Sequence, residues 1–240
     1  MKFKTILVLC AGALSLQACE NLDSQMATSA AVDGIQAAML TDEQLASVSN
    51  QAAEKLDREN RLAPASSPYS QRLQRLTQNI QNFNGQSLNF AVYESDSINA
   101  FAMADGTVRV YSGLMDKLND EELLFVIGHE IGHVMLEHSK KSTRLALSTS
   151  ALRKGTAAVG GTVGAIASSD IGGVAQKIVQ AQYSQKEEKA ADDFGAQFLE
   201  QRSLPKTSAV SALRKLGNEG GGLLASHPNP QDRADRLEQR

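Results

Sequence analysis

The segment Leu123-Leu124-Phe125-Val126-Ile127-Gly128-His129-Glu130-Ile131-Gly132-His133 places two histidines and a glutamate inside an otherwise apolar run. Asn119, followed three residues later by Glu122, has the form of a capping box, so the run reads as a helix. Residues four apart on a helix share a face, and His129 and His133 therefore project their rings from one side about a turn apart. This HExxH spacing lets two imidazoles grip one zinc ion, while Glu130 lies beside them and can take a proton from an activated water. A pair of surface histidines is the blander alternative, but charged groups within a buried-looking helix are costly unless they have partners. Gly128 and Gly132 lower helix propensity and imply that another element packs closely against this face.

A catalytic zinc needs a third protein ligand and an open position. The extended pattern HExxHxxGxxH fails, because Leu136 and Ser139 occupy its glycine and third-histidine positions. His138 is one residue out of that register and reads as an exposed residue near a helix C-terminus, where positive charge is favourable. The stretch Ser184 to Ala196 supplies carboxylates instead. Glu188 and Asp192 are four apart on a helix, so one can bind metal while the other orients a ligand histidine through its second nitrogen. Alone, such a charged helix is usually a solvated face.

The N-terminus belongs to targeting. Lys2 and Lys4 precede an apolar run from Ile6 to Leu14, too short to span a bilayer, and the pattern is that of a secretory signal peptide. Leu16-Gln17-Ala18-Cys19 resembles the lipobox of bacterial lipoproteins, which implies a signal of residues 1–18 and acylation of Cys19. Several chains on one residue are what stable anchoring requires. Cys10 leaves with the signal and Cys19 is consumed by lipid; since the chain has two cysteines, disulfides and thiol catalysis are excluded. The formal charge of -3 excludes a sequence-independent nucleic-acid binder.

Residues 19–40 are small and polar, as in a tether, and residues 41–240 form the domain. Thr41 to Gln44 is a second capping box, opening a helix to about Arg61; another helix is expected from Tyr69 to about Phe83. Leu88 to Tyr93 and Ala100 to Met103 read as short strands, and Asp105-Gly106 turns the chain into a third strand, Thr107 to Tyr111. Helical periodicity then returns. The expected fold is α+β and predominantly helical, with a small antiparallel sheet at about residues 88–111 beside the HExxH helix.

Asn99-Ala100-Phe101-Ala102, Tyr111-Ser112-Gly113-Leu114, the HExxH segment, Glu188-x-x-Ala191-Asp192 and Ser226-His227-Pro228 together resemble the gluzincin-type metallopeptidases that include HtpX and the CAAX prenyl proteases, especially their soluble periplasmic lipoprotein members. The resemblance covers about residues 69–240 and implies a zincin-like domain with one Zn²⁺ per chain. It implies His129, His133 and Glu188 as ligands, Asp192 as support for the metal site and Glu130 as general base in peptide hydrolysis. Asn99, Ala100 and Phe101 would lie on an edge strand to which extended substrate adds. His227 is either a helix-entry residue before Pro228 or a donor that stabilises the oxyanion. Gln185 departs from relatives that carry Arg after Ser, so a local ion pair is missing. The apolar, Gly-rich segment 155–169 reads as a soluble, mobile helical stretch over the cleft. The implied protein is an envelope protease with protein substrates and possible envelope-assembly or protease partners. Glu20, in place of an inner-membrane retention aspartate, favours the outer membrane, facing the periplasm. The rival is a non-enzymatic envelope-assembly lipoprotein with a structural zinc; it has no use for Glu130.

Overall fold

The computed structural model describes residues 40–154, 163–217 and 223–239. The expected signal peptide, Cys19 and most of the expected tether lie outside the described residues, as do residues 155–162 of the Gly-rich segment.

Helix α1, Asp42–Glu59, opens with the reciprocal Thr41–Gln44 capping box and buries Leu45, Val48 and Ala52 along one face. Helix α2, Pro68–Thr77, starts behind the Ser67 cap with Pro at its first turn. It stops six residues short of the expected Phe83, because the chain there forms a hairpin, β1 (Asn82–Phe83) with β2 (Gln86–Ser87). Asn84 and Gly85 between them have φ of 49° and 86°, the left-handed pair that a two-residue Asn-Gly turn requires.

The main sheet corrects the expectation of an all-antiparallel arrangement. β4 (Ala100–Ala102) and β5 (Thr107–Tyr111) form the antiparallel hairpin across Asp105-Gly106, but β3 (Asn89–Tyr93) pairs parallel to β5, in the order β3-β5-β4. Parallel neighbours need a crossover of about a dozen residues, and here β4 itself lies within that crossover. Its leading loop runs over the end of β5, where the Ser95 N–H donates to Ser112 Oγ and Ser112 Oγ donates back to the Ser95 carbonyl, both at 2.9 Å. A Cβ on Gly113 would sit 2.3 Å from the Asp96 carbonyl, so only glycine admits the loop this close.

Helix α3 (Ser112–Lys117) leads into α4 (Asp120–Met135), which is buried from Glu122 to Val134. Then follow α5 (His138–Lys154), α6 (Val163–Val179, kinked at Asp170), α7 (Gln185–Glu200), α8 (Thr207–Leu216), α9 (Leu223–Ser226) and α10 (Pro230–Glu238). The fold is α+β and mostly helical, as the sequence implied. No helix among the described residues is long and apolar enough to cross a membrane.

Two apolar clusters organise the layers. The larger joins α4, α7, α8 and α10 to one side of the sheet; the smaller joins α1, α5 and α6 to Tyr93, Phe101 and Met103. Arg109 on β5 ties α1 to the sheet by donating from Nε and Nη2 to Asp57, each at 2.9 Å. Helices α4 and α7 approach through glycines on both sides. A Cβ on Gly128 would meet the Phe198 ring at 2.8 Å, and one on Gly195 would lie 3.1 Å from the His129 backbone nitrogen. That closeness is what brings the chemistry of α7 onto that of α4.

Candidate metal centre

Caps orient the two helices that carry the site. Asn119 and Glu122 close the capping box on α4. On α7, Ser184 and Glu187 do the same, and Glu187 also receives Lys141 Nζ at 2.7 Å. Burial raises the Glu187 pKa, but Lys141 and Ser184 outweigh it and hold the carboxyl at about 2. With Glu187 engaged at the helix entrance, Glu188 one residue on turns inward and is 1% exposed.

Four side chains converge. His129, His133, Glu188 and His227 each offer one atom, and these atoms lie within 4.8 Å of one another. The Nε2 atoms of His129 and His133 are 3.0 Å apart, His133 Nε2 is 3.4 Å from Glu188 Oε1, and His227 Nδ1 is 3.2 Å from His129 Nε2. Donors about 2.0–2.2 Å from a shared tetrahedral ion stand roughly 3.3–3.6 Å from each other; the distances here reach that range or fall a few tenths of an ångström short of it, so the four atoms are close enough together to share one divalent ion. Glu188 Oε2 and Glu130 Oε1 are buried without a hydrogen-bond partner, although Arg233 faces the former as a charge. Imidazoles together with a carboxylate suit a borderline metal better than Mg²⁺ or Ca²⁺.

The electrostatics sort the four groups. Burial pushes the His133 imidazole well below its ordinary pKa, so the ring is neutral and has a lone pair to offer. Burial penalises charge on Glu188 as well, but His227, His133 and His129 outweigh it and keep the group ionised. Burial works against charge on His227, yet Glu188 and Glu130 overcome it and raise the pKa above that of a free imidazole. Glu130 goes the other way: burial raises its pKa despite His227 and His129.

Asp192 lies directly behind the ligands. Its Oδ1 is 3.1 Å from His129 Nδ1, the arrangement that fixes a ligand histidine's orientation. Burial pushes its carboxyl up, but bonds from Arg233 and His129 prevail and hold it at about 2. Arg233, which sequence reading passed over, donates Nε and Nη2 to Asp192 at 2.9 and 2.6 Å and reaches Glu188 Oε2 through Nη1 at 2.5 Å. It shares the buried face of α10 with Pro230, Ala234 and Leu237. Tyr183 was also missed; its ring stacks on His133 at 3.8 Å between centroids. His138 corrects the reading of an exposed terminal residue. It is half-buried, and its Nδ1 lies 3.0 Å from His133 Nδ1.

His227 enters from the turn between α9 and α10 and is buried, with Nδ1 2.9 Å from Glu188 Oε1 and Nε2 3.5 Å from Glu130 Oε1. A cavity of about 20 Å³, room for about one water, opens here between Phe125, Glu130, Leu213 and His227. The strand β4 is an edge of its sheet and lies beside α4, but Ala100 and Phe101 are buried. Phe101 packs against Tyr93 and Tyr111, and Ser139 on α5 donates to the Ala102 carbonyl at 3.2 Å. An extended peptide adding to this edge must displace that contact. Asn99 is half-buried, and its carbonyl accepts from the Tyr111 N–H.

Residues 68–240 match the sequence profile of peptidase family M48. The chain belongs to that family. It is 39% identical to metalloprotease LoiP of Escherichia coli (strain K12) over 245 aligned positions, covering 100% of this chain and 97% of the relative. Identity to metalloprotease YcaL of the same organism is 35%, over 99% of this chain and 96% of the relative. A beta-barrel assembly-enhancing protease of Yersinia pestis is 28% identical over 60% of this chain and 32% of its own length. As an M48 member this protein is a metalloendopeptidase, and the four-donor cluster is where its metal can be held.

Proposed function

We propose that this M48 protein is a zinc-dependent endopeptidase of the bacterial cell envelope, cleaving extended or misfolded proteins with Glu130 as general base. His129, His133 and Glu188 hold one zinc per chain, and Asp192 with Arg233 orients His129 and Glu188. The observation that carries the reading is Glu130 Oε1, buried without a hydrogen-bond partner beside the donor cluster and a water-sized cavity. When bound, zinc lowers the pKa of water toward about 7 and polarises a carbonyl.

The chain's own groups do the rest. Burial raises the affinity of Glu130 for a proton, which suits a carboxylate that must accept one from water and return it to the leaving amine. Glu188 holds His227 through Nδ1, leaving Nε2 on the side of Glu130. From there a protonated His227 donates to the oxygen that gains charge as the carbonyl is attacked. Tyr183 and the apolar walls of the cavity exclude bulk water, which strengthens each of these interactions.

Glu130→Gln is expected to retain zinc and lose peptide hydrolysis; full activity overturns the assignment. Glu188→Ala should lose zinc and Glu187→Ala should not; the opposite result moves the ligand by one residue. His227→Ala should keep zinc and lose roughly 10²–10³-fold in kcat, whereas loss of zinc would make His227 a ligand instead. The cellular reading rests on residues 1–20: acylated Cys19 anchors the chain in the outer membrane facing the periplasm, where unfolded or assembling envelope proteins are substrates or partners. Cys19→Ser should release the protein from membrane fractions, and its continued retention there would refute the anchor.

A further inference from the structure

We infer that His138 is a positioning residue for metal binding: its Nδ1 accepts the Nδ1–H of His133 and so fixes that ring with Nε2 facing the ion. The inference rests on the reading of His133 as a ligand. His133 Nε2 points into the donor cluster, 3.0 Å from His129 Nε2 and 3.4 Å from Glu188 Oε1. To coordinate, Nε2 must carry a lone pair, and a neutral imidazole then has its one proton on Nδ1. That nitrogen is 3.0 Å from His138 Nδ1. One member of such a contact donates and the other accepts, so His138 carries its own proton on Nε2.

The two ligand histidines are thus supported differently. His129 has the carboxylate of Asp192 at 3.1 Å; His133 has a neutral imidazole. A carboxylate is the usual partner of a ligand histidine, and a neutral imidazole can serve likewise because it too puts an acceptor at the nitrogen remote from the metal. The difference follows from crowding of charge. Glu188 and Asp192 already lie buried against Arg233, with Arg236 3.7 Å from Asp192 and Glu130 buried close by, and a fourth carboxylate behind His133 would add repulsion.

Helical spacing alone does not bring this contact about. Five residues along an α-helix is a rotation of roughly 140° from the starting face, so a continuous helix would carry His138 away from His133. The chain instead ends α4 at Met135 and turns at Glu137, whose φ is 63°. A left-handed non-glycine residue costs about 1 kcal/mol or more, and this one returns His138 to the back of His133. Tyr183 closes the arrangement: it stacks on the face of His133 and lies 6.2 Å between centroids from the His138 ring. The ring is held on its face by Tyr183 and along its edge by His138.

The test compares His138→Leu, which removes the acceptor, with His138→Asn, whose side-chain oxygen can occupy the position of Nδ1. Both are made in the full chain. Zinc affinity is measured by chelator competition, and cobalt(II) substitution reports ligand geometry by its visible absorption. His138→Leu should weaken zinc roughly 10–100-fold and shift the cobalt bands, and His138→Asn should restore most of both. Wild-type affinity and spectrum in His138→Leu would overturn the inference. So would an Asn variant as impaired as the Leu variant, because packing alone would then account for the loss. If wild type itself takes up no zinc, the reading of the metal centre fails and the role of His138 falls with it.

Discussion

Replacing Arg233 with Met isolates the electrostatic contribution of the network behind the proposed metal ligands. The side chain is almost fully buried and has three short charge-assisted contacts, two to Asp192 and one to Glu188. Met preserves much of the volume but leaves two carboxylates, 0% and 1% exposed, without their principal cation. Removing one partner from a buried pair costs about 3–5 kcal/mol. Arg236 offsets part of this, since its Nη2 is 3.7 Å from Asp192 Oδ2, so the lower end, about 3 kcal/mol, is expected. For a domain of this size each kcal/mol shifts Tm by about 2–4 °C, giving a fall of roughly 6–12 °C. Zinc bound as proposed would supply positive charge to Glu188, so the fall should be smaller in loaded protein than after chelation. Thermal unfolding by circular dichroism, with and without zinc, measures both quantities. Asp192→Asn/Arg233→Met should recover part of the loss, because one of the orphaned charges is gone. A zinc-free shift below about 2 °C, or losses in the double variant that simply add, would refute the reasoning.

Three other perturbations test separate parts of the structure. Gly195→Ala places a methyl 3.1 Å from the His129 backbone nitrogen and 3.0 Å from the Phe125 ring, so overpacking should cost about 1–3 kcal/mol and weaken zinc by parting α7 from α4; chelator competition checks the second effect, and unchanged affinity would sever packing from the site. Glu187 is held at about 2 against an ordinary 4.5, a depressed carboxylate, so its stabilisation is fully present above pH 4.5 and is lost as pH falls toward about 2. Glu187→Gln should accordingly lower the urea midpoint at neutral pH and match wild type at the acid end of that window; an offset independent of pH would contradict the ionic origin. Arg109→Met removes the clamp on Asp57 and should cost about 3 kcal/mol, without altering zinc affinity; a change in metal binding would mean that α1 and the sheet hold the site directly.

What could be read from the sequence and what could not divide along the range of the interactions involved. His129 and His133 share a face because they are four apart on one helix, and the caps read at Thr41 and Asn119 lie three residues from their partners. Such short-range geometry follows directly from helical periodicity. Gly128 and Gly132 were legible for the same reason: their cost to the helix called for a close neighbour, which is α7. The parallel pairing of β3 was not, since alternation of apolar residues sets a strand's faces but says nothing of its neighbour or direction. The apolar period through Ile80 carried the expected second helix past Thr77, although Asn84-Gly85 already marked a hairpin. Arg233 was hidden by its polar neighbours Gln231, Asp232, Asp235 and Arg236, and only the tertiary fold gives it two buried carboxylates. His138 was hidden by one backbone angle: Glu137 at φ 63° has no residue-type signature, yet it converts a position on the wrong side of the helix into the contact behind His133. The proposed metal ligands are therefore local in part and recognisable by spacing, whereas the groups that orient them depend on corners and contacts that spacing does not encode. Mutations at Arg233, His138 and Glu137 should consequently tune metal affinity while leaving the HExxH pattern itself intact.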